Sequence, residues 1–205
     1  MKNFIIIGDS YSAFKDIIPE GYLPSYPMFD VLKTEDMWWG HLIKNEDYNL
    51  IQNNSWSGST LGHTGYNNDD ASHINSFIYR YRQLKEAGFF EKNKIDTVFV
   101  FGGTNDSWAN APLGENKLSN WNEQDLFSVL PAINYMAYTL KNDLPNTEIV
   151  FIINTEIKEE IQTCMEQTAV NYKVKAVRLR DIAKESGHPT AKGMLSIYEQ
   201  VLKVL

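Results

Sequence analysis

The sequence has a single cysteine, Cys164, among its 205 residues. One cysteine excludes an intrachain disulfide and any zinc site built from several cysteines. No apolar run approaches the roughly 18 residues of a membrane-spanning helix, so we expect no membrane insertion. Basic residues are few, with 19 Lys and Arg against 26 Asp and Glu, and they form no cluster. This charge balance argues against nucleic acid as the main partner.

The N-terminus lacks the features of a secretory signal. It has one lysine and a short apolar run, Phe4–Ile7, without a longer apolar core or a small-residue cleavage site. Together with the single cysteine, this favours a cytoplasmic protein, or one from which a signal has been removed. The length and the 43% hydrophobic content suit a single domain over residues 1–205.

Short apolar runs alternate along the chain with longer stretches of helical character. The strand-like runs cover residues 3–7, 49–53, 97–101, 148–153 and 173–177, and the helix-like stretches cover residues 34–45, 72–87, 124–142, 155–171 and 190–204. This alternation predicts an α/β fold with a parallel sheet covered by helices on both faces. We expect Pro131 to start, kink or break the third helix, and Thr190 to cap the last one.

Three polar motifs follow successive predicted strands. Gly8-Asp9-Ser10 follows the first strand, Gly58 lies in a polar turn after the second, and Asn105 comes just after the third. Such strands end at one edge of the sheet, where α/β folds bind ligands. A serine there can act as a nucleophile, and a backbone amide or a carboxamide can stabilise a negative oxygen. Each motif alone is also consistent with a helix cap or a turn.

A fourth motif, residues 185–189, supplies a candidate base near the other end of the chain. His188 can take the proton of a serine hydroxyl, and a carboxylate three residues earlier, Glu185, can reach the imidazole and fix its tautomer. Pro189 favours an extended backbone at the histidine. Serine, amide, carboxamide and histidine together form a complete set for acyl transfer.

In this order, the four motifs resemble the conserved blocks of the SGNH/GDSL hydrolase family, and the resemblance spans nearly the whole chain. It implies a flavodoxin-like three-layer α/β/α fold, with five parallel strands in the order 2-1-3-4-5, and no metal or organic cofactor. It also implies that Ser10 is the nucleophile and His188 the base. The oxyanion hole would consist of the Ser10 amide, the Gly58 amide and the Asn105 side chain.

One position departs from the family pattern. The last block of the family usually has an aspartate three residues before the histidine, and this chain has Glu185 there. Glutamate is one methylene longer, so the loop would have to adjust. Asp181 is an alternative, and a Ser-His dyad without an acid is another. The orienting residue of His188 therefore stays open at this point.

Aromatic residues in polar loops suggest the kind of substrate. Tyr11, His63 and Trp108 lie near the motifs and are candidate substrate-binding residues, although packing beneath the loops explains Tyr11 and Trp108 equally well, and His63 also suits a solvated loop. Aromatic rings stack on sugars, so we predict a serine esterase that acts on a short-chain acyl ester, acetyl first, of a carbohydrate. Two alternatives stay open: an esterase of lipids or lysophospholipids, and a glycan-binding module that has lost catalysis.

Overall fold

A computed structural model describes residues 1–205, and its central element is a parallel sheet of five strands. The strands are β1 Lys2–Gly8, β2 Tyr48–Ser55, β3 Thr97–Gly102, β4 Glu148–Ile153 and β5 Lys175–Arg178. Their spatial order is β2-β1-β3-β4-β5, and every neighbouring pair is parallel. The predicted fold class and strand order are confirmed.

Helices cover both faces of this sheet. They are α1 Trp38–Asn45, α2 Phe77–Glu86, α3 Phe89–Lys92, α4 Thr104–Trp108, α5 Val129–Asp143, α6 Glu159–Tyr172 and α7 Ala191–Leu202. Short 3₁₀ turns cover residues 34–36, 66–68 and 123–127. A small antiparallel hairpin, β6 Lys184–Glu185 and β7 His188–Pro189, precedes α7. None of the helices has the length and apolar character needed to cross a bilayer.

Alternating side chains on β1 contribute to two separate cores. Phe4 and Ile6 join the core beneath α1 and α7, whereas Ile5 and Ile7 join the core beneath α2, α5 and α6. Successive side chains of a strand point to opposite faces of the sheet. Because both faces are covered, all four residues are fully buried. This explains why β1 is an unbroken apolar run rather than an alternating one.

Four helices, α1, α2, α5 and α6, begin four or five residues later than the sequence pattern predicts. Helix α2 begins at Phe77 because Ser76 caps it, its Oγ accepting a hydrogen bond from the Tyr79 amide at 3.2 Å. Helix α5 begins at Val129 and accommodates Pro131 in its first turn, where a missing amide hydrogen costs nothing. Thr190 caps α7 as predicted.

The strand register brings three of the predicted motifs to one level. Gly8, the last residue of β1, pairs with Ser55 on β2 and with Phe101 on β3. A β-carbon on Gly8 would lie 2.7 Å from the Ser55 Oγ, so a larger residue would clash there. The chain segments after β1, β2 and β3 therefore start side by side at the carboxyl edge of the sheet.

Candidate active site

Ser10 and His188, from opposite ends of the chain, are in contact. Ser10 lies just past the end of β1 and His188 lies on β7, and 3.1 Å separates the Ser10 Oγ from the His188 Nε2. The serine is 3% exposed, while the histidine is half-buried. This separation is within the hydrogen-bonding range expected of a nucleophile and its general base.

The contact made by Nδ1 of His188 favours one of the two neutral tautomers of the ring. Nδ1 lies 3.3 Å from the backbone carbonyl oxygen of Ser186. A carbonyl can only accept a hydrogen bond, so this contact favours a proton on Nδ1 and leaves Nε2 free to accept one from Ser10. The carbonyl is placed by a tight turn in which Ser186 and Gly187 both have positive φ, 46° and 82°, as a type I′ hairpin turn requires.

The structure does not bring a carboxylate to His188. Glu185 is the backbone partner of His188 in the hairpin, yet its side chain is exposed and forms neither a hydrogen bond nor an ion pair. The tight turn places its own carbonyl at Nδ1, and the carboxylate remains in solvent. Asp181, the alternative, is also exposed and unpaired. The expectation that Glu185 orients the base is therefore not supported, and the observed contact is that of a Ser-His dyad backed by a carbonyl.

The three donors of the predicted oxyanion hole each have a hydrogen that no protein group accepts. The backbone amides of Ser10 and Gly58 donate to no group in the protein. Gly58 has a φ of 81°, a backbone conformation that favours glycine. Asn105 donates one Nδ2 hydrogen to the Ser59 carbonyl at 2.9 Å and keeps the second one free. These donors suit stabilisation of an oxyanion.

Two buried aspartates lie next to these residues in the chain. Asp9 is fully buried, and its Oδ1 accepts a hydrogen bond from the Tyr11 amide at 3.0 Å. Burial raises the pKa of Asp9 to about 7, although the Tyr11 amide and the nearby Thr104 hydroxyl act in the opposite direction. The other carboxylate oxygen, Oδ2, is buried and has no hydrogen-bond partner.

Asp106 joins α4 to the segment that follows β2. Its carboxylate accepts hydrogen bonds from the backbone amides of Leu61 and Gly62, at 2.9 and 3.2 Å. Burial raises the pKa of Asp106 to about 6, against the effect of these amides. Because Asp106 follows Asn105 directly, these bonds fix the helix that carries the carboxamide.

A buried arginine, Arg80 on α2, connects the ends of β1 and β2. Its guanidinium donates to the carbonyl oxygen of Gly8 at 3.0 Å, to the Ser59 Oγ at 3.0 Å and to the Asn54 Oδ1 at 2.7 Å. Burial lowers its pKa to about 10, so the group stays charged at neutral pH. Sequence reasoning missed this residue. The available signal was an arginine three residues after Phe77, on the apolar face of the helix.

Comparison with known proteins shows the family of this chain. Residues 2–205 match the model of the GDSL-like lipase/acylhydrolase family. The chain belongs to this family. No significant match was found among curated protein sequences. The family resemblance inferred from the four motifs is thereby confirmed.

Solved structures of GDSL-like proteins are similar to this chain in both sequence and fold. A protein described as a GDSL-like lipase from Bacteroides uniformis is 40% identical, with a TM-score of 0.91 over 99% of this chain and 94% of the other. A second, from Bacteroides ovatus, is 37% identical, with a TM-score of 0.90 over 99% and 97%. A family two carbohydrate esterase from Clostridium thermocellum, in complex with cellohexaose, shares the fold at 15% identity, with a TM-score of 0.64 over 98% and 62%.

Two of the three predicted substrate-binding residues of this GDSL-like hydrolase are buried. Tyr11 is fully buried, and its hydroxyl donates to the Gly187 carbonyl beside the base. His63 is 1% exposed, and its Nδ1 lies 3.0 Å from the Ser76 Oγ. Burial lowers the pKa of His63 to about 4, so the ring is neutral at pH 7. Neither side chain is accessible to a substrate, because each is packed into the protein interior.

Trp108, the third predicted residue, is placed differently. Its ring is 43% exposed, and its centroid lies 6.2 Å from that of the His188 ring. A β-carbon on Gly187 would lie 3.1 Å from this indole, so the glycine lets the ring pack against the hairpin turn. Trp108 thus presents an aromatic surface next to His188.

Proposed function

We propose that this family member is a serine esterase in which Ser10 is the nucleophile and His188 the general base. The observation that carries the proposal is the 3.1 Å contact between the Ser10 Oγ and the His188 Nε2. The Ser186 carbonyl at Nδ1 and the unpaired amides of Ser10 and Gly58 support it. A hydroxyl, a base of the required tautomer and free donors are the groups that acyl transfer needs.

The reaction follows from these positions. The Ser10 Oγ attacks the ester carbonyl carbon while Nε2 takes its proton, and the carbonyl oxygen becomes an oxyanion held by the Ser10 amide, the Gly58 amide and the Asn105 Nδ2. The C–O bond of the ester breaks as His188 returns the proton to the leaving alcohol. Water, deprotonated by His188, then attacks the acyl-enzyme and releases the acid and Ser10.

The proposed substrate is a short-chain acyl ester, acetyl first, of a carbohydrate. Because His188 protonates the leaving alcohol, the exposed Trp108 ring borders the alcohol side, where it can stack on a sugar. The fold likeness to a carbohydrate esterase adds support.

Hydrolysis of p-nitrophenyl acetate, butyrate and octanoate tests this proposal. We expect Ser10→Ala to reduce kcat more than about a thousandfold, because the nucleophile is lost. Ser119→Ala, at an exposed loop position, is the matched control and should leave the rate unchanged. Circular dichroism checks that both variants are folded.

The chain-length profile separates the alternatives. Rates that fall from acetate to octanoate support the short-chain proposal and lead to acetylated sugars as the next substrates. Preference for octanoate would favour a lipid esterase. Equal rates for the wild type and Ser10→Ala on every ester would contradict the catalytic proposal, and glycan affinity in that case would favour a non-catalytic binding module.

A further inference from the structure

Tyr66 contacts the proposed oxyanion donor, and the motif analysis did not single it out. It lies on the 3₁₀ turn of residues 66–68, and its hydroxyl donates a hydrogen bond of 2.8 Å to the Asn105 Oδ1. The side chain of Asn105 is 3% exposed, whereas Tyr66 is 39% exposed. An exposed tyrosine therefore reaches inward with its hydroxyl to a buried catalytic candidate.

The turn that carries Tyr66 is held firmly. Gly65 donates to the Asp69 carbonyl at 2.8 Å and Asp69 donates to the Tyr66 carbonyl at 3.0 Å, which closes the turn on itself. The Thr64 hydroxyl, just before it, donates to the Phe127 carbonyl at 2.7 Å. The position of the tyrosine hydroxyl is thus set by the backbone around it.

Two contacts together determine how the Asn105 carboxamide is oriented. Oδ1 accepts from the Tyr66 hydroxyl, and Nδ2 donates to the Ser59 carbonyl at 2.9 Å. A carboxamide rotated by 180° would set its oxygen against the Ser59 carbonyl, and neither oxygen can donate a hydrogen bond. In the observed orientation one N–H of Nδ2 stays free, and donation to Oδ1 strengthens that N–H as a donor.

The chemical state of Tyr66 suits this arrangement. Burial, followed by the nearby carboxyls of Asp9 and Asp106, raises the pKa of Tyr66 above its ordinary value. The hydroxyl therefore stays protonated throughout the neutral range. It donates to Oδ1 under all conditions in which the proposed enzyme would work.

We propose that Tyr66 is a positioning residue that holds the Asn105 carboxamide, through a hydrogen bond to Oδ1, in the orientation that stabilises the oxyanion. This inference rests on the proposed esterase function. It assigns Tyr66 a role in the transition state rather than in substrate binding. Removing its hydroxyl alone should lower kcat and leave KM nearly unchanged.

Tyr66→Phe, alone and combined with Asn105→Ala, tests the inference on p-nitrophenyl acetate. We expect Tyr66→Phe to lower kcat about tenfold, less than the loss of an oxyanion donor itself, with KM within about twofold of the wild type. In the Asn105→Ala background the same change should cost nothing further, because its only target is gone. Tyr138→Phe is the control, since Tyr138 is 43% exposed and its hydroxyl makes no hydrogen bond.

A p-nitrophenyl phosphonate, which labels an activated serine, separates the possible failures. Slower labelling of Ser10 in Tyr66→Phe than in the wild type would support the inference. Equal rates of Ser10 labelling in the wild type and in Tyr66→Phe would overturn the inference about Tyr66 and leave the esterase proposal intact. An unchanged kcat, a change in KM alone, or an equal loss in the Asn105→Ala background would also overturn it. A wild type that is not labelled at Ser10 would contradict both proposals.

Discussion

At the scale of single residues, the proposed base His188 is oriented by a neutral group. The Ser186 carbonyl at 3.3 Å fixes the ring through Nδ1, but it carries no full charge to stabilise the imidazolium that forms during the reaction. The negative charge of Glu185 remains in solvent. The orientation of the base therefore depends on the shape of the hairpin turn and not on an acidic side chain.

The first prediction concerns that carboxylate. Glu185→Gln and Asp181→Asn should each keep kcat/KM within about threefold of the wild type, whereas loss of the orienting carboxylate in a Ser-His-Asp triad costs on the order of 10⁴-fold. Steady-state kinetics on p-nitrophenyl acetate measures the difference. A hundredfold loss in either variant would mean that the carboxylate reaches His188 during turnover.

Arg80 gives a second prediction at this scale. Arg80→Met would leave the Gly8 carbonyl, the Ser59 hydroxyl and the Asn54 side chain without their buried donor. We expect the free energy of unfolding to fall by about 3 kcal/mol, the usual consequence of breaking a buried charged network. Urea denaturation followed by circular dichroism measures it.

Arg82→Met is the matched control for Arg80→Met. Arg82 is on the same helix and pairs with Glu123 at 2.9 Å, but that pair lies at the surface. Such ion pairs contribute about 1 kcal/mol or less to stability. Equal losses in the two variants would contradict the interpretation that Arg80 is part of the core beneath the site.

At the scale of elements, the β6–β7 hairpin is anchored on both sides of the base. The Tyr11 hydroxyl donates to the Gly187 carbonyl, and the Tyr26 hydroxyl donates to the Pro189 carbonyl at 2.8 Å. The two carbonyls flank His188. Both tyrosines come from the segment after β1, which also carries Ser10, so the same segment positions the proposed nucleophile and the proposed base.

Tyr26→Phe tests this anchoring because it removes one hydroxyl and keeps the ring. We expect kcat to fall about tenfold, since a small displacement of the base weakens proton transfer, while the free energy of unfolding falls by only about 1 kcal/mol. Tyr48→Phe is the control, because the buried hydroxyl of Tyr48 has no partner. An unchanged kcat in Tyr26→Phe would show that the hairpin holds His188 without this bond.

The same elements indicate what the sequence could and could not predict. The three inner strands β1, β3 and β4 were predictable because each is a short apolar run buried on both faces, whereas the edge strands β2 and β5 are only partly buried. Helix α4 has five residues, and each strand of the β6–β7 hairpin has two. Both elements were missed because segments this short show no hydrophobic period.

The contacts around the site were even less accessible to sequence reasoning. Tyr26 lies 163 residues from Pro189, and Tyr66 lies 39 residues from Asn105. No local sequence pattern identifies either tyrosine, because each one donates a hydrogen bond to a residue that is distant in the sequence. The contact between Ser10 and His188 was predictable because each residue lies in a short motif, whereas the residues that hold them in place were not.

At the scale of the whole molecule, buried ionisable groups link stability to pH. Burial raises the pKa of Asp9 to about 7 and that of Asp106 to about 6, from an ordinary value of 3.8. Between pH 3.8 and these values the folded protein keeps protons that the unfolded chain has lost. Both groups therefore reduce stability as pH rises through this window. His63 acts oppositely, because its lowered pKa makes protonation below pH 6.5 favour the unfolded chain.

Because these effects oppose one another, the contribution of Asp9 is best measured as a difference between variants. Asp9→Asn resembles the protonated carboxyl and retains an oxygen that can accept from the Tyr11 amide. We expect the wild type to lose stability relative to Asp9→Asn as pH rises from about 4 to about 8, by about 1.4 kcal/mol per pH unit at most, with no further change above that range. Urea unfolding at several pH values measures this difference.

Asp181→Asn, at an exposed and unpaired position, should parallel the wild type throughout. A constant difference between the wild type and Asp9→Asn would mean that Asp9 is already ionised in the folded protein at pH 4, with Arg80 rather than a proton balancing its charge.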